Sequence, residues 1–399
     1  MFNIFFILLW FITPIFHFTL FFDSLRGCLL ISTLILILTY LWKFKSLPRI
    51  RIGTIGRLIF ILFLIHSFIS FFINDIDIFR LVSSFILFCF ILYTSLVSCR
   101  LLANYDSNEF HNFINIIYYS FILLFAFSLV NPIVLTKIHL KPIFPYNEPS
   151  HFCLFFGPIM YYKLITSKGK LIWIFAILSI IIALFTQNLI IILSTFIVFG
   201  FINYKKIILL SLVIFVSVFM LLKSEYFSSR LNISKDSNNI SVLAFIQGWD
   251  FAYNHSINTN FFGIGFQQLG FVPVETETSI QIDKLIDGKL NEKDGSFDAS
   301  KIISEFGIFG ILILLIYFKF LFKCLKLLSK SERYDVNNSV IIFCCCSVFS
   351  FFIEIFIRGV GYFSPTFFLF ITSLFYLTKS NKFFYLLSNK IKKFDKSLI

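Results

Sequence analysis

Apolar residues in this chain fall in long blocks rather than in alternation. A helix that crosses the hydrocarbon core of a bilayer takes about 20 mostly apolar residues. Twelve such blocks are read, at approximately 2–22, 27–42, 58–73, 79–98, 112–131, 150–166, 171–186, 188–203, 207–222, 302–322, 338–357 and 362–378. Most separators are short and many are basic. Two are longer: Pro132 to Pro149, between the fifth and sixth blocks, and Lys223 to about Lys301, which is polar and carries Asn and Ser clusters. The expected organisation is a membrane domain over 1–222 with nine spans, a large loop over 223–301 containing short helices, three more spans over 302–378, and a basic tail over 379–399. The expected fold class is all-α, a polytopic integral membrane protein. The first block is too long for a cleaved signal peptide and lacks a small-residue cleavage site. No internal repeat marks a transporter built from inverted halves.

Composition sharpens this. Hydrophobic residues make up 58% of the 399 and charged residues 14%, against about 25% charged in soluble domains. A mean hydropathy of +0.89 excludes a soluble enzyme, a disordered protein and a secreted disulfide scaffold. The 60 Phe, with many Ile, Lys and Asn, fit AT-rich coding and say little about function. The net charge of +13 does not read as a nucleic-acid footprint, because Lys and Arg collect on cytoplasmic loops. Lys43, Lys45, Arg49, Arg51 and Arg57 follow the second block, and a Lys-rich tail follows the last. With both inside, the cytoplasmic side holds 22 Lys and Arg against 5 Asp and Glu, and the outer side 12 against 16. The two long separators then face outward. There is no GxxxxGK[ST] loop and no cytoplasmic domain to hold one, so ATP hydrolysis is not expected. Cys344, Cys345 and Cys346 lie in an apolar run and point to different helix faces, and the eight Cys contain no CxxC pair. They are read as neither zinc ligands nor a disulfide framework.

Ionisable residues within spans are costly and commonly functional. Glu354 and Arg358 stand at i and i+4 near the outer end of the eleventh span, a spacing at which they share a helix face and can pair. They read either as a structural ion pair or as a site where Arg358 offers its fork to a phosphate or diphosphate. Gly359, Gly361 and Tyr362 follow, allowing close backbone approach and an aromatic platform. At the mouth of the sixth span stands Tyr146-Asn147-Glu148-Pro149-Ser150-His151-Phe152. Pro149 fits a first helical turn. Glu148 or His151 reads either as part of a helix start or as a base for a sugar hydroxyl. In the large loop, Arg230 precedes a polar stretch, and Phe245, Ile246, Trp249 and Phe251 are expected to lay an apolar face on the membrane surface. Phe262-Gly263-Ile264-Gly265-Phe266 has no strand–helix unit of the dinucleotide-binding kind around it. Asp294 and Asp298 read as solvated loop carboxylates or as cation ligands. His17, His66 and His111 have no clustered partners in sequence, His139 and His255 lie on the outer loops, and none of the five is assigned a role.

With these residues in place, the chain resembles bacterial O-antigen polymerases (the Wzy family) and, more distantly, O-antigen ligases. Glu148-Pro149-Ser150 resembles a motif at a span start in many polymerases. The order Arg230, Trp249, Gly263-Ile264-Gly265-Phe266, then Glu305-Phe306-Gly307-Ile308-Phe309-Gly310 entering a span resembles the family's large-loop region, and Arg358-Gly359…Gly361-Tyr362 a late motif. The resemblance covers the layout of the chain and about five short patches. Ligases usually carry a His before the Glu-x-Gly-like span start. Asp298, Ala299 and Ser300 stand there instead, which favours a polymerase.

The resemblance implies a membrane glycosyltransferase similar to the GT-C type, in a bacterial inner membrane, with its active site facing the periplasm. Its partners would be undecaprenyl-diphosphate-linked oligosaccharides, membrane lipids, a chain-length regulator and the repeat-unit flippase, with no nucleic acid, cofactor or metal. Cations are wanted where the diphosphate departs, implying Arg230 and Arg358. A base is wanted at the acceptor hydroxyl, implying Glu148, with His151 second. His151, Trp249, Gly263, Gly265, Glu354 and Tyr362 are the expected substrate-binding residues. A ligase, or a flippase of lipid-linked sugars, is the alternative. A flippase is expected to bury basic residues along a central cavity.

Overall fold

A computed structural model of the chain describes residues 6–19, 25–45, 54–73, 76–135, 143–146, 148–203, 223, 225–380, 383–384 and 386. Among these there is no strand. A π-helical turn, Leu8–Ile12, runs into α1 (Thr13–Thr19). Then follow α2 (Leu25–Phe44), α3 (Thr54–Ile73), α4 (Ile78–Ala103), α5 (Ser107–Leu135), α6 (Pro149–Thr166), α7 (Lys170–Phe185) and α8 (Leu189–Ile202). The large loop holds α9 (Glu225–Leu231), α10 (Ile240–Asn258) and α11 (Glu277–Ile286). The chain continues through α12 (Asp298–Leu328), α13 (Ser339–Phe356) and α14 (Pro365–Lys379).

Helix starts are written locally. Asp77 accepts from Arg80 N, Asn188 from Ile190 and Ile191 N, and Asn239 from Ser241 N. Ser364 accepts from Phe367 N ahead of Pro365 at the first helical position. Thr276 and Ser279 form a capping box. Each satisfies donors that a helix N-terminus otherwise leaves open. The expected start at Pro149 is the start of α6, with Glu148 as extended N-cap.

Helices overlie eleven of the twelve predicted blocks. The block 207–222 lies outside the described residues, as do residues 2–5 and 20–22 of the first, Arg49, Arg51, His139, Asn147 and most of the basic tail. Among the described residues, five helices are long and apolar enough to cross a membrane: α2, α4, α5, α12 and α13 with the turn before it; four more apolar helices there are shorter. Helix α12 leaves Ile308, Phe309, Ile311, Leu312, Ile313, Leu315 and Ile316 exposed. So wide an apolar face is at home in lipid and not in water, and the chain reads as membrane-embedded. Helix α13 is the axis of the bundle. It packs on α6, α12 and α14 and is buried almost all round, including Cys344, Cys345 and Cys346, as an all-round apolar helix requires.

Two expectations about the large loop change. Helix α12 begins at Asp298, inside the predicted loop, and is broken at Gly307 (φ 55°, ψ −128°). The backbone of 261–265 fills the break: Phe261 O accepts from Ile308 N at 2.8 Å, Ile264 N donates to Ser304 O at 3.0 Å, and Gly265 N donates to Glu305 O at 2.9 Å. His66 Nε2 donates to Phe262 O at 2.9 Å and ties α3 to the same point. The apolar residues of α10 do not form one membrane-facing side. Residues 249 and 251 lie about 200° apart on a helix. Phe251 is buried with Val242, Leu243, Gly248 and His255, on the side that meets α12 and α11.

Candidate functional site

The chain ends of α6 and α13 meet at one mouth of the bundle. Helix α13 stops at Phe356. Ile357 leaves helical geometry at φ −121°, ψ −53°, and Arg358 N turns back to Ile353 O at 3.0 Å. The expected Glu354–Arg358 pair is therefore not formed, because Arg358 has left the helical face that i, i+4 spacing assumes. Arg358 Nη2 instead donates to Glu148 Oε2 at 3.2 Å, across 210 positions. Ser150 Oγ donates to the same oxygen at 2.8 Å. Both partners keep solvent access, Arg358 less than Glu148. Burial pushes the Glu148 carboxyl up. The His151 and Arg358 charges and the hydrogen bonds from Ser150 and Arg358 outweigh it, and hold it below the ordinary carboxylate range. His151 adjoins Glu148, and its ring centroid lies 6.3 Å from that of His17 on α1. His17 thus has a neighbour that sequence spacing did not reveal.

Behind the mouth lies a buried charge cluster. Asp298, Lys301 and Glu305 stand at i, i+3 and i+7 on the segment of α12 before its break, 1%, 0% and 0% exposed. Lys301 Nζ lies 3.6 Å from Glu305 Oε1 and 3.8 Å from Asp294 Oδ1. It also donates to the Lys293 carbonyl and sits 5.4 Å above the Tyr362 ring. Neither oxygen of Asp298 closes a hydrogen bond of good geometry, though the Gly361 backbone N–H lies toward the carboxyl. The loop after α13 lies directly over it: Gly359 N donates to Ser296 O at 2.9 Å, and a β-carbon at Gly359 would stand 2.7 Å from Asp298 Oδ1. Asp298 is thus not a solvated loop carboxylate; the long-range fold of the loop onto α12 encloses it. Tyr362 stacks on Phe266 at 5.9 Å and 8°. Its hydroxyl is turned toward Glu305 without closing a hydrogen bond of good geometry. Glu354 accepts from Ser364 Oγ at 2.7 Å.

Of the expected site residues, Glu148, His151 and Arg358 come together. Tyr362 joins the buried cluster as a packing element under Lys301, and Glu354 lies between α13 and α14. Trp249 and Phe245 pack against Phe297, at 4.9 and 5.3 Å, next to Asp298. Gly263 and Gly265 serve backbone packing rather than an open substrate surface. A β-carbon at Gly263 would lie 2.5 Å from Glu305 O, and one at Gly265 would lie 3.0 Å from Ser70 Cβ. Arg230 is half-buried on α9, which packs on α10. Lys301 was overlooked as a site residue. Its signal was Asp298-x-x-Lys301-x-x-x-Glu305 at a span start, three ionisable residues on one helical face. Among the described residues, no three His, Cys, Asp or Glu side chains converge as a metal site would need. The mouth therefore offers one guanidinium, one carboxylate and two imidazoles, a set able to hold an anion and accept a proton. The chain matches no protein-family model, no curated protein and no solved structure.

Proposed function

We propose that this protein is a membrane glycosyltransferase, a polysaccharide polymerase that joins undecaprenyl-diphosphate-linked repeat units at the outer face of a bacterial inner membrane. The observation that carries the reading is the Arg358–Glu148 pair at 3.2 Å, a cation and a carboxylate from distant parts of the chain, solvent-accessible at one mouth. In this reading the acceptor sugar hydroxyl attacks the anomeric carbon of the growing chain. The new C–O bond forms as the bond to the diphosphate breaks, and undecaprenyl diphosphate leaves with the electron pair. Arg358 binds the departing diphosphate, where charge develops. A diphosphate on the guanidinium competes with Glu148 for it. Release from Arg358 removes one of the influences that depress the Glu148 carboxyl, so donor binding itself makes Glu148 a better acceptor for the hydroxyl proton. His151 is the second candidate for that proton, and Arg230 a second cation from the large loop. A chain-length regulator and the repeat-unit flippase are the proposed functional partners.

The test is the surface-glycan ladder of a strain lacking the gene, beside parent and complemented strains. Collapse to core plus one repeat unit is the expected result: ligation and flipping persist while polymerisation is lost. Bare core alone would point to ligase or flippase and overturn the proposal.

A further inference from the structure

Helix α6 has 18 residues, about 27 Å at the helical rise, so the connectors at its far end lie across the hydrocarbon core from the Arg358–Glu148 mouth. There the 331–334 turn between α12 and α13 packs on α6, and Tyr334 gathers two cations from separate connectors. Lys168, just after α6, holds its Nζ 4.9 Å from the centre of the Tyr334 ring. Arg333 holds its guanidinium carbon 4.7 Å from the same centre. Arg333 Nη2 also donates to the Tyr334 hydroxyl at 2.5 Å, and Nη1 to the Leu328 carbonyl at 3.2 Å. Lys168 is exposed, and Arg333 and Tyr334 are half-buried.

Like charges gathered at one ring repel, and among the described residues no carboxylate comes within ion-pair distance of either. Glu332 and Asp335 flank Arg333 in the chain but are turned elsewhere. Glu332 accepts from Ser331 Oγ at 3.5 Å, and Asp335 accepts from Asn337 N and Asn338 Nδ2. Helix α7 begins beside Lys168 with the exposed Lys170, no side-chain cap and no acidic residue in its first turn, which adds partial positive charge. The Tyr334 hydroxyl accepts from Arg333 and keeps its own proton, for which the described residues supply no acceptor. An ammonium, a guanidinium and a phenol are the donors that phosphate oxygens take. Basic residues at this end satisfy the charge asymmetry of the chain by themselves, but that asymmetry does not require two of them at one ring. The neighbouring surface says where a phosphate comes from. Leu171, Ile174, Ile177, Ile181 and Leu184 are exposed along one side of α7, starting next to Lys170, so the cations continue into a lipid-facing stripe.

We infer that Lys168, Arg333 and Tyr334 bind the phosphate of an anionic phospholipid from the leaflet at this end, with its acyl chains along the exposed side of α7. The phosphate offsets the repulsion between the two cations and ties the α6–α7 connector to the α12–α13 connector, in the way that basic pockets between spans hold anionic head groups. The inference stands or falls apart from the glycosyl-transfer reading, since it concerns a lipid held at the opposite end of the bundle from the mouth.

The test is native mass spectrometry of the purified, delipidated full chain in detergent, titrated with phosphatidylglycerol or with phosphatidylcholine of the same acyl chains. The first phosphatidylglycerol should bind about tenfold more tightly than later ones and than phosphatidylcholine. Lys168→Glu and Arg333→Gln should each weaken that first binding by about tenfold, and Lys168→Glu carries the test if Arg333→Gln does not fold. Lys43→Gln combined with Lys45→Gln makes the same charge change as Lys168→Glu at the same end and should leave the first binding unchanged. Equal binding of the two lipids to the wild type would overturn the inference. So would equal weakening in the Lys43 and Lys45 control, which would assign the effect to general surface charge, or displacement of the lipid by equimolar inorganic phosphate, which would assign the site to a free anion.

Discussion

At the scale of single residues, the mouth depends on the shape of a side chain as well as its charge. Arg358 reaches Glu148 through one nitrogen of a planar fork, and a lysine keeps the charge but not the fork. Arg358→Lys should lower polymer formation at least tenfold while membrane insertion and yield stay normal. Full activity in that variant would remove the diphosphate-binding role. A different residue carries a pH signature. His255 on α10 is 2% exposed, and burial pushes its imidazole down from 6.5 to about 4. The folded protein holds it neutral where the unfolded chain would bind a proton. Its contribution is therefore complete above pH 6.5 and is lost as pH falls toward 4, at about 1.4 kcal/mol per pH unit at most. The unfolding temperature should drop between pH 7.5 and 5.5 in the wild type, and His255→Gln should drop measurably less. Equal drops would show that other groups set the acid sensitivity. Neither the burial of His255 nor the meeting of His17 with His151 was legible in sequence. Their neighbours come from helices far apart in the chain or from a turn of α10 hidden by α11 and α12.

At the scale of elements, the break in α12 organises the site. It lets Asp298, Lys301 and Glu305 ride on a short separate segment while 261–265 plugs the gap. Gly307 has φ 55°, and a β-carbon there would lie 1.9 Å from Phe261 O. No side chain can shift to relieve a clash with backbone. Gly307→Ala should destabilise the fold by roughly 3 kcal/mol or more and reduce the monodisperse fraction on size-exclusion chromatography. Gly157→Ala is the matched control: its β-carbon would meet only Ser350 Cβ, at 3.6 Å, and it should remain monodisperse. A normal profile for Gly307→Ala would mean that the break is not required. The Glu-x-Gly-x-x-Gly spacing at 305–310 was visible in sequence as a span start, but not as a break. Hydropathy averages over the kink, and the partners that make it tolerable lie some 45 residues upstream.

At the scale of the whole molecule, the charge distribution makes a claim about direction. Lys284 on α11 and Lys168 between α6 and α7 are both exposed, on opposite sides in the positive-inside assignment. Seven of the eight cysteines are buried and Cys89 is half-buried, so background labelling should be low. In intact cells a membrane-impermeant maleimide should label Lys284→Cys, and should reach Lys168→Cys only after permeabilisation. The reverse pattern would invert the topology and move the Arg358–Glu148 mouth to the cytoplasm.

What the sequence determined by itself was the membrane character of the chain, the positions of most helices and the start of α6 at Glu148-Pro149. These are local properties: block hydropathy, capping chemistry and the restricted backbone of proline act within a few residues. Tertiary structure decided which charges meet. Arg358 was paired in sequence with Glu354, four residues away, because helical periodicity was the only distance rule on hand. The fold ends α13 just short of Arg358 and brings α6 alongside, so the partner is Glu148, and Glu354 is left facing a cavity made by three helices. Asp298 read as a solvated loop carboxylate or a cation ligand because polar neighbours surround it along the chain, and Lys301 beside it was passed over. They are buried because α10, the 359–362 loop and the plugged helix close over them, an enclosure that exists only once distant segments have packed together.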